Sequence, residues 1–263
     1  MVVRTKLTVA YLGGGFSGWQ RQLRVRTVQG ELERSLARLT GVERIVVVGA
    51  GRTDTGVHAV AQAAHADLPE GIPTSALPQL INTRLGPDLR VRSATKVRTD
   101  FHAQKDALGK HYAYRIRWSD TNLPWIGLRC AVLPRVSAPK ALEEACRHLP
   151  GRRDWSPFTV PEVARRGAIR TLYRADWVWR PTGLDLHVVG EGFLRYQVRR
   201  MVGALLEVGR RRMTTAEFLD LLETPSAGAS VPTAPARGLS LERVYYRASP
   251  RLSPAAEAGP SLW

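Results

Sequence analysis

The sequence predicts an α+β fold: a large, mostly antiparallel sheet with helices on one face. Three observations lead there. Strand-type and helix-type patterns alternate along the chain, but without the strict βαβ rhythm of a parallel sheet. The strand-type stretches alternate their side chains with period two. The pattern also restarts near the middle, so that each half carries about four strands and two helices. At 263 residues the chain suits one large domain or two of roughly 100–130. We read the halves as 1–105 and 106–248, with a loose Pro-, Ser- and Ala-rich tail over 249–263.

The elements follow in order. Lys6–Tyr11 alternates and runs into Gly13-Gly14-Gly15, a strand ending in a loop. Thr27 caps a helix over Val28–Leu39, with Val28, Leu32, Leu36 and Leu39 on one face and Gly41 just past its end. Ile45–Val48 is a short buried strand stopped by Gly49, and a further strand spans about Val60–Ala66. Pro73-Thr74 opens a helix through Leu80 and Ile81, and Leu89–Val97 is a strand. The second half begins with the long strand His111–Trp118 and continues into a helix over Ala138–His148. Pro150–Gly167 is a Pro-, Gly- and Arg-rich loop. Strands over Thr171–Trp179 and Leu184–Val189 precede a helix over Phe193–Val208, a short helix at Thr215–Leu222 and a last strand at Leu239–Tyr246.

Composition narrows the function. Apolar residues make up 44% and charged residues 24%, ordinary globular values that exclude a fibrous or wholly disordered chain. No apolar run approaches the ~20 residues of a membrane span, and the first residues carry no secretory pattern. Cys130 and Cys146 form neither a disulfide framework nor a metal-ligand spacing and are read as reduced and buried, as in a cytoplasmic protein. Thirty-nine Lys and Arg against 23 Asp and Glu give a net charge of +16. Only five are lysines, Lys6, Lys96, Lys105, Lys110 and Lys140, and a GC-rich genome accounts for part of that ratio. The excess itself calls for an anionic partner, nucleic acid first. The exposed sheet face and a basic cleft between the halves are where RNA would lie.

Four stretches carry chemistry. Gly49-Ala50-Gly51-Arg52-Thr53-Asp54-Thr55-Gly56-Val57-His58-Ala59 is a loop tied at both ends to strands. It is neither a Walker loop nor a dinucleotide fingerprint. It presents one carboxylate, Asp54, two residues after Arg52. An ordinary Asx-turn and a catalytic acid both fit that pattern. In FLRYQVRRMVGALLEVG, residues 193–209, Leu194, Val198, Met201 and Leu205 form an apolar stripe with Arg195 and Arg199 at its N-terminal end. An arginine there needs a carboxylate partner, for which Asp54 is a candidate, or else it snorkels or meets a phosphate. On the strand Lys110-His111-Tyr112-Ala113-Tyr114 both tyrosines point one way; stacking on a base and plain sheet packing are both open, packing being preferred for Tyr114. In Phe16-Ser17-Gly18-Trp19-Gln20-Arg21-Gln22, Trp19 serves either RNA or its own loop. The six histidines show no metal spacing, and His58 reads as structural.

These stretches resemble the tRNA pseudouridine synthase A family. GRTDTGVHA is similar to that family's catalytic signature. FSGWQRQ, TVQGELERSL, DFHAQKDALGKHYAYRI, FLRYQVRRMVGALLEVG and PTAPARGLSLERVYY match in the family's order, so that the resemblance covers about Lys6 to Tyr246. It implies that Asp54 is the catalytic aspartate and Tyr112 the substrate-contacting tyrosine. Arg199 would be the arginine paired with the aspartate, and Arg52 the loop arginine that holds the target open. It further implies two RRM-like halves around a basic cleft, a homodimer, and no metal or organic cofactor. The expected substrate is the anticodon stem-loop of tRNA, modified at positions 38–40 on its 3′ side after base flipping. Leu12 and Gly14 stand where the family usually has Asp and Thr, and Gln104 where it has Arg; these bear on RNA affinity or loop geometry.

Two other readings compete. A non-catalytic RNA-binding or RNA-folding protein of the same fold needs the charge and the aromatics, but not Asp54 and Arg199 together. A phosphate-handling enzyme would need a lysine in the glycine-rich loop and a carboxylate cluster, and the sequence supplies neither.

Overall fold

The computed structural model describes residues 1–121 and 125–247, so the tail expected over 249–263 lies outside the described residues. Two compact units emerge, one made of Met1–Leu108 with Ser240–Tyr246, the other built on Gly109–Leu239. Each is α+β, with a predominantly antiparallel sheet.

The first unit starts with β1, Val2–Tyr11, in which Thr5, Leu7, Val9 and Tyr11 are buried and the residues between them face the other side. It pairs antiparallel with β3, His58–Pro69, and with β4, Leu89–Lys96. The short β2, Val48–Gly49, joins β3, and the final strand β10, Leu239–Tyr245, runs parallel to β3 through Ser240 and Leu241. Helix α1, Val28–Thr40, ends as the sequence predicts. The Thr27 hydroxyl accepts the Gly30 N–H, and Gly41 takes the left-handed conformation at φ 71°, where a side chain would be strained. Val28, Leu32 and Leu36 are fully buried. Helix α2, Leu77–Asn82, begins four residues beyond the predicted Pro73, because Pro73 and Ala76 form a turn first. Asn82 ends α2 by exchanging two hydrogen bonds with Val91 of β4.

One expectation here changes. Ile45 and Val47 are buried as predicted, but Ile45–Val47 has no strand pairing, and only Val48–Gly49 joins the sheet. Burial comes instead from packing, with the Val47 N–H donating to the buried Glu33 carboxylate. The 97–108 segment lies over the second face of this sheet, where Phe101 and Ala103 join Ala50, Ala63 and Tyr246 in a small core. The Tyr246 hydroxyl donates to Ala103 O, and the Ala103 N–H donates to His65 Nδ1.

In the second unit β5, Gly109–Trp118, pairs antiparallel with β9, Gly183–Gly190, which pairs with β8, Ile169–Arg180, and β8 with β7, Gly151–Asp154. A short β6, Ala131–Leu133, runs parallel to the end of β5. Helices α3, Pro139–Arg147, α4, Pro161–Ala164, α5, Gln197–Gly209, and α6, Thr215–Glu223, complete it. Cys130 and Cys146 are free and buried, as expected. Among the described residues no helix is long and apolar enough to cross a membrane.

The predicted loop Pro150–Gly167 is largely structured. It holds β7, a turn of 3₁₀ helix at Ser156–Phe158 and α4, anchored by the fully buried Trp155, whose indole donates to Arg170 O at 2.9 Å. Helix α5 begins four residues later than predicted. Tyr196 sits at φ 64°, and the Arg195 carbonyl is claimed by the Thr159 hydroxyl at 2.9 Å. Helix α6 opens on a full capping box. The Thr214 hydroxyl accepts the Glu217 N–H, and the Glu217 carboxylate accepts the Thr214 N–H. Thr214→Ala is expected to cost about 1 kcal/mol, the usual loss of an N-cap, read as a lower urea midpoint with an unchanged m-value.

Candidate active site

The loop that carries Asp54 is gripped from three directions within the first unit. From below, the Gln62 amide donates to Gly51 O at 2.9 Å, and the Ala50 N–H donates to Ala63 O at 2.7 Å. From the end of β1, the Tyr11 hydroxyl lies 2.8 Å from the Thr53 hydroxyl, both buried. Burial pushes the Tyr11 phenol above its ordinary pKa, so it stays protonated and hydrogen-bonding at every working pH. From the glycine loop, the Gly13 N–H donates to His58 Nδ1 at 3.0 Å. His58 is therefore a structural acceptor, as its sequence position suggested.

Trp19 completes the cradle. Its ring is 2% exposed and lies flush against Gly49, where an added Cβ would be 2.6 Å from the indole. The Trp19 backbone N–H donates to Thr53 O at 3.1 Å, and its carbonyl accepts the Gln29 N–H at the start of α1. Gly18, at φ 84°, brings its backbone so close that a Cβ would be 2.8 Å from Thr53 O. Of the two readings open for Trp19, the structure selects the anchor. The capped start of α1 thereby fixes the glycine loop, which in turn fixes the acidic loop.

Asp54 stands half-buried at the head of a turn whose Val57 N–H donates back to Asp54 O at 3.1 Å. Gly56 holds φ 81° at the third position, as a type II turn requires. Arg52, on the same loop, is exposed. A Cβ on Gly13 would sit 2.1 Å from Val57 O, a backbone atom that cannot swing aside. Gly13→Ala is therefore expected to displace the Asp54 turn and lower turnover by more than tenfold. Gly14→Ala, with nothing within 4 Å, is the control that leaves folding and rate near wild type.

The other two site residues named by the sequence lie in the second unit. Tyr112, on β5, is 6% exposed and meets the Phe193 ring edge-on, with centroids 5.2 Å apart. Tyr114, two residues on, is fully buried, donates to Pro235 O and lies under Gly238, which is the packing role preferred for it. Arg199, the third residue of α5, is held at both ends. Its Nε donates to Ala234 O at 2.8 Å, and its own carbonyl accepts the Ala234 N–H. Its guanidinium also lies 5.3 Å from the Tyr196 ring centre. Gly203 allows this, since a Cβ there would meet Pro232 O at 1.9 Å. Arg195 precedes the helix and is exposed, its guanidinium donating to the Tyr196 hydroxyl. Among the described residues no group of three or more His, Cys, Asp or Glu is placed to hold a metal ion.

Sequence reasoning missed Tyr11, Thr53, Gln62 and Gly13 as parts of the site. The local signal was the run Gly13-Gly14-Gly15 one residue after Tyr11, which says that something passes close by but not what.

A strongly basic α+β chain that holds one carboxylate on a glycine-bounded turn has the features of an enzyme that acts on nucleic acid. Sequence comparison makes this particular. The model of the tRNA pseudouridine synthase family matches residues 7–104 and 145–247, well over half of the chain, and the chain belongs to that family. It is similar to the tRNA pseudouridine synthase A of Geobacillus kaustophilus (strain HTA426), 37% identical over 246 residues that cover 94% of this chain and 95% of the relative. The same-named proteins of Bacillus subtilis (strain 168) and Myxococcus xanthus are 36% and 38% identical, over 93% and 94% of this chain and 99% and 93% of their own. The chain is thus an enzyme, an isomerase that forms pseudouridine in tRNA.

Proposed function

We propose that the chain converts uridine to pseudouridine at positions 38–40, on the 3′ side of the tRNA anticodon stem-loop, with Asp54 as the catalytic residue. The observation that carries this is the locked turn. A side chain that merely capped a loop would not need that loop held by Tyr11, Gly13, Gly18, Trp19 and Gln62 at once, whereas a reacting group does. In the reaction the N1–C1′ bond breaks, the uracil rotates, and C5 bonds to C1′. C5 gives up its proton and N1 gains one, so no atom is lost overall. Asp54 acts either as nucleophile toward the sugar or ring, or as the base that takes the C2′ proton.

A stacked uridine cannot turn in place, so the base is flipped out first, at a cost of a few kcal/mol. Arg52 occupies the vacated position and Tyr112 contacts the substrate, the roles that the family resemblance gives them, and Arg199 joins them in holding the substrate. The enzyme works as a homodimer in the cytoplasm. The test is tritium release from tRNA labelled at uridine C5, since forming the C5–C1′ bond must expel that label. Tight binding of a panel of tRNAs with no release would move the reading to a non-catalytic RNA-binding protein.

A further inference from the structure

Three basic residues of the second unit share one corner of its sheet and have no acid among them. Lys110 on β5 and Leu172 on β8 both pair with Gly190 of β9. Arg170, two residues before Leu172, is therefore on the same face of the sheet as Lys110. Arg153 of β7 stands directly opposite Arg170. Like charges set opposite each other across strands destabilise a sheet, so this corner is arranged at some cost to stability.

The hydrogen bonds of the two arginine side chains go only to backbone. Arg170 donates to Ile169 O, and Arg153 donates to His148 O and Pro150 O. Arg153 Nε is enclosed with no partner among the described residues. The nearby carboxylates bond to neutral groups, Asp154 to Ser156 and Glu191 to the Thr171 N–H, and no ion pair joins either to these three cations among the described residues. Half-buried, and with Arg170 adding its charge, Lys110 has a pKa below the usual lysine value. An ammonium in that setting is poised to gain from an incoming anion.

The corner adjoins the aromatic pair. Lys110 and Tyr112 point the same way from β5. The Phe193 ring that meets Tyr112 also covers Gly190, where a Cβ would be 3.2 Å from it. We propose that Lys110 and Arg170 form a phosphate-binding subsite, which grips the RNA backbone of the substrate next to the nucleotide contacted by Tyr112. Strand spacing sets Lys110 about 10 Å from Leu172 across the sheet, within joint reach of two long side chains. This rests on the tRNA reading and adds to it the place where the backbone is held.

The experiment measures tRNA affinity against salt for wild type, Lys110→Gln, Lys110→Arg and Arg170→Gln, with thermal melts of each. Removing one phosphate contact is expected to weaken binding about five- to tenfold near 0.1 M salt and to flatten the log–log slope by roughly 0.7–0.9. Lys110→Arg restores both. KM for isomerisation rises with the loss of affinity. Slopes unchanged in folded Lys110→Gln and Arg170→Gln, while wild type still releases tritium, overturn the subsite and leave the function standing. A wild type that binds tRNA without release overturns the function instead. If inorganic phosphate binds but the tRNA slope does not change with the mutations, the corner is an anion site unrelated to RNA, and the proposal fails.

Discussion

Asp54→Asn is expected to abolish isomerisation while tRNA binding persists. The substitution keeps the size of the side chain and removes only its charge and basicity. The cradle holds the loop through backbone groups and through Tyr11, Thr53, His58 and Gln62. Loss of a nucleophile or general base costs on the order of a thousandfold or more in rate. The affinity for RNA, by contrast, comes from many cations. C5 tritium release should therefore fall to background in single-turnover reactions at saturating enzyme, with the dissociation constant within about threefold of wild type. A folded mutant that turns over near the wild-type rate would falsify the assignment of Asp54.

Trp19→Ala should have the largest effect on stability that also reaches the site. The indole is almost wholly buried, supports Gly49 and stands beside the Tyr11 ring at 6.2 Å. Truncating a buried tryptophan costs about 3–5 kcal/mol through lost contacts and the cavity left behind. Here the cavity opens directly under the Asp54 loop. The expected result is a large drop in the denaturation midpoint, together with a fall in turnover that persists under conditions where the mutant is fully folded. Trp19→Phe should recover most of the stability and part of the rate. If Trp19 instead stacked on RNA, Trp19→Ala would weaken binding and leave the melt unchanged.

Legibility in the sequence followed the range of the forces involved. Both ends of α1 could be read because Thr27 and Gly41 act within one turn of themselves, and α6 because its capping box spans four residues. The same reasoning failed over 150–167. There the strand Gly151–Asp154 consists of polar residues and exists through its pairing with Ile169–Leu172. It also misplaced the start of α5. The helical wheel put Arg195 on the helix, whereas a hydroxyl 36 residues away holds the Arg195 carbonyl and the chain turns left-handed at Tyr196.

The site divides in the same way. The sequence by itself determined the class of fold and the basic charge, because pattern and charge belong to residue types and their local order; it singled out Asp54, Arg52, Tyr112 and Arg199 through their resemblance to the family's motifs. What Trp19 is for, why Gly13 must be glycine, and how Tyr11, Thr53 and Gln62 support the acidic loop were decided only by the tertiary structure. Those answers depend on contacts between residues tens of positions apart, such as Tyr11 with Thr53 and Gly13 with His58. The energy of such contacts exists only once the sheet has brought the segments together, and no local pattern encodes it.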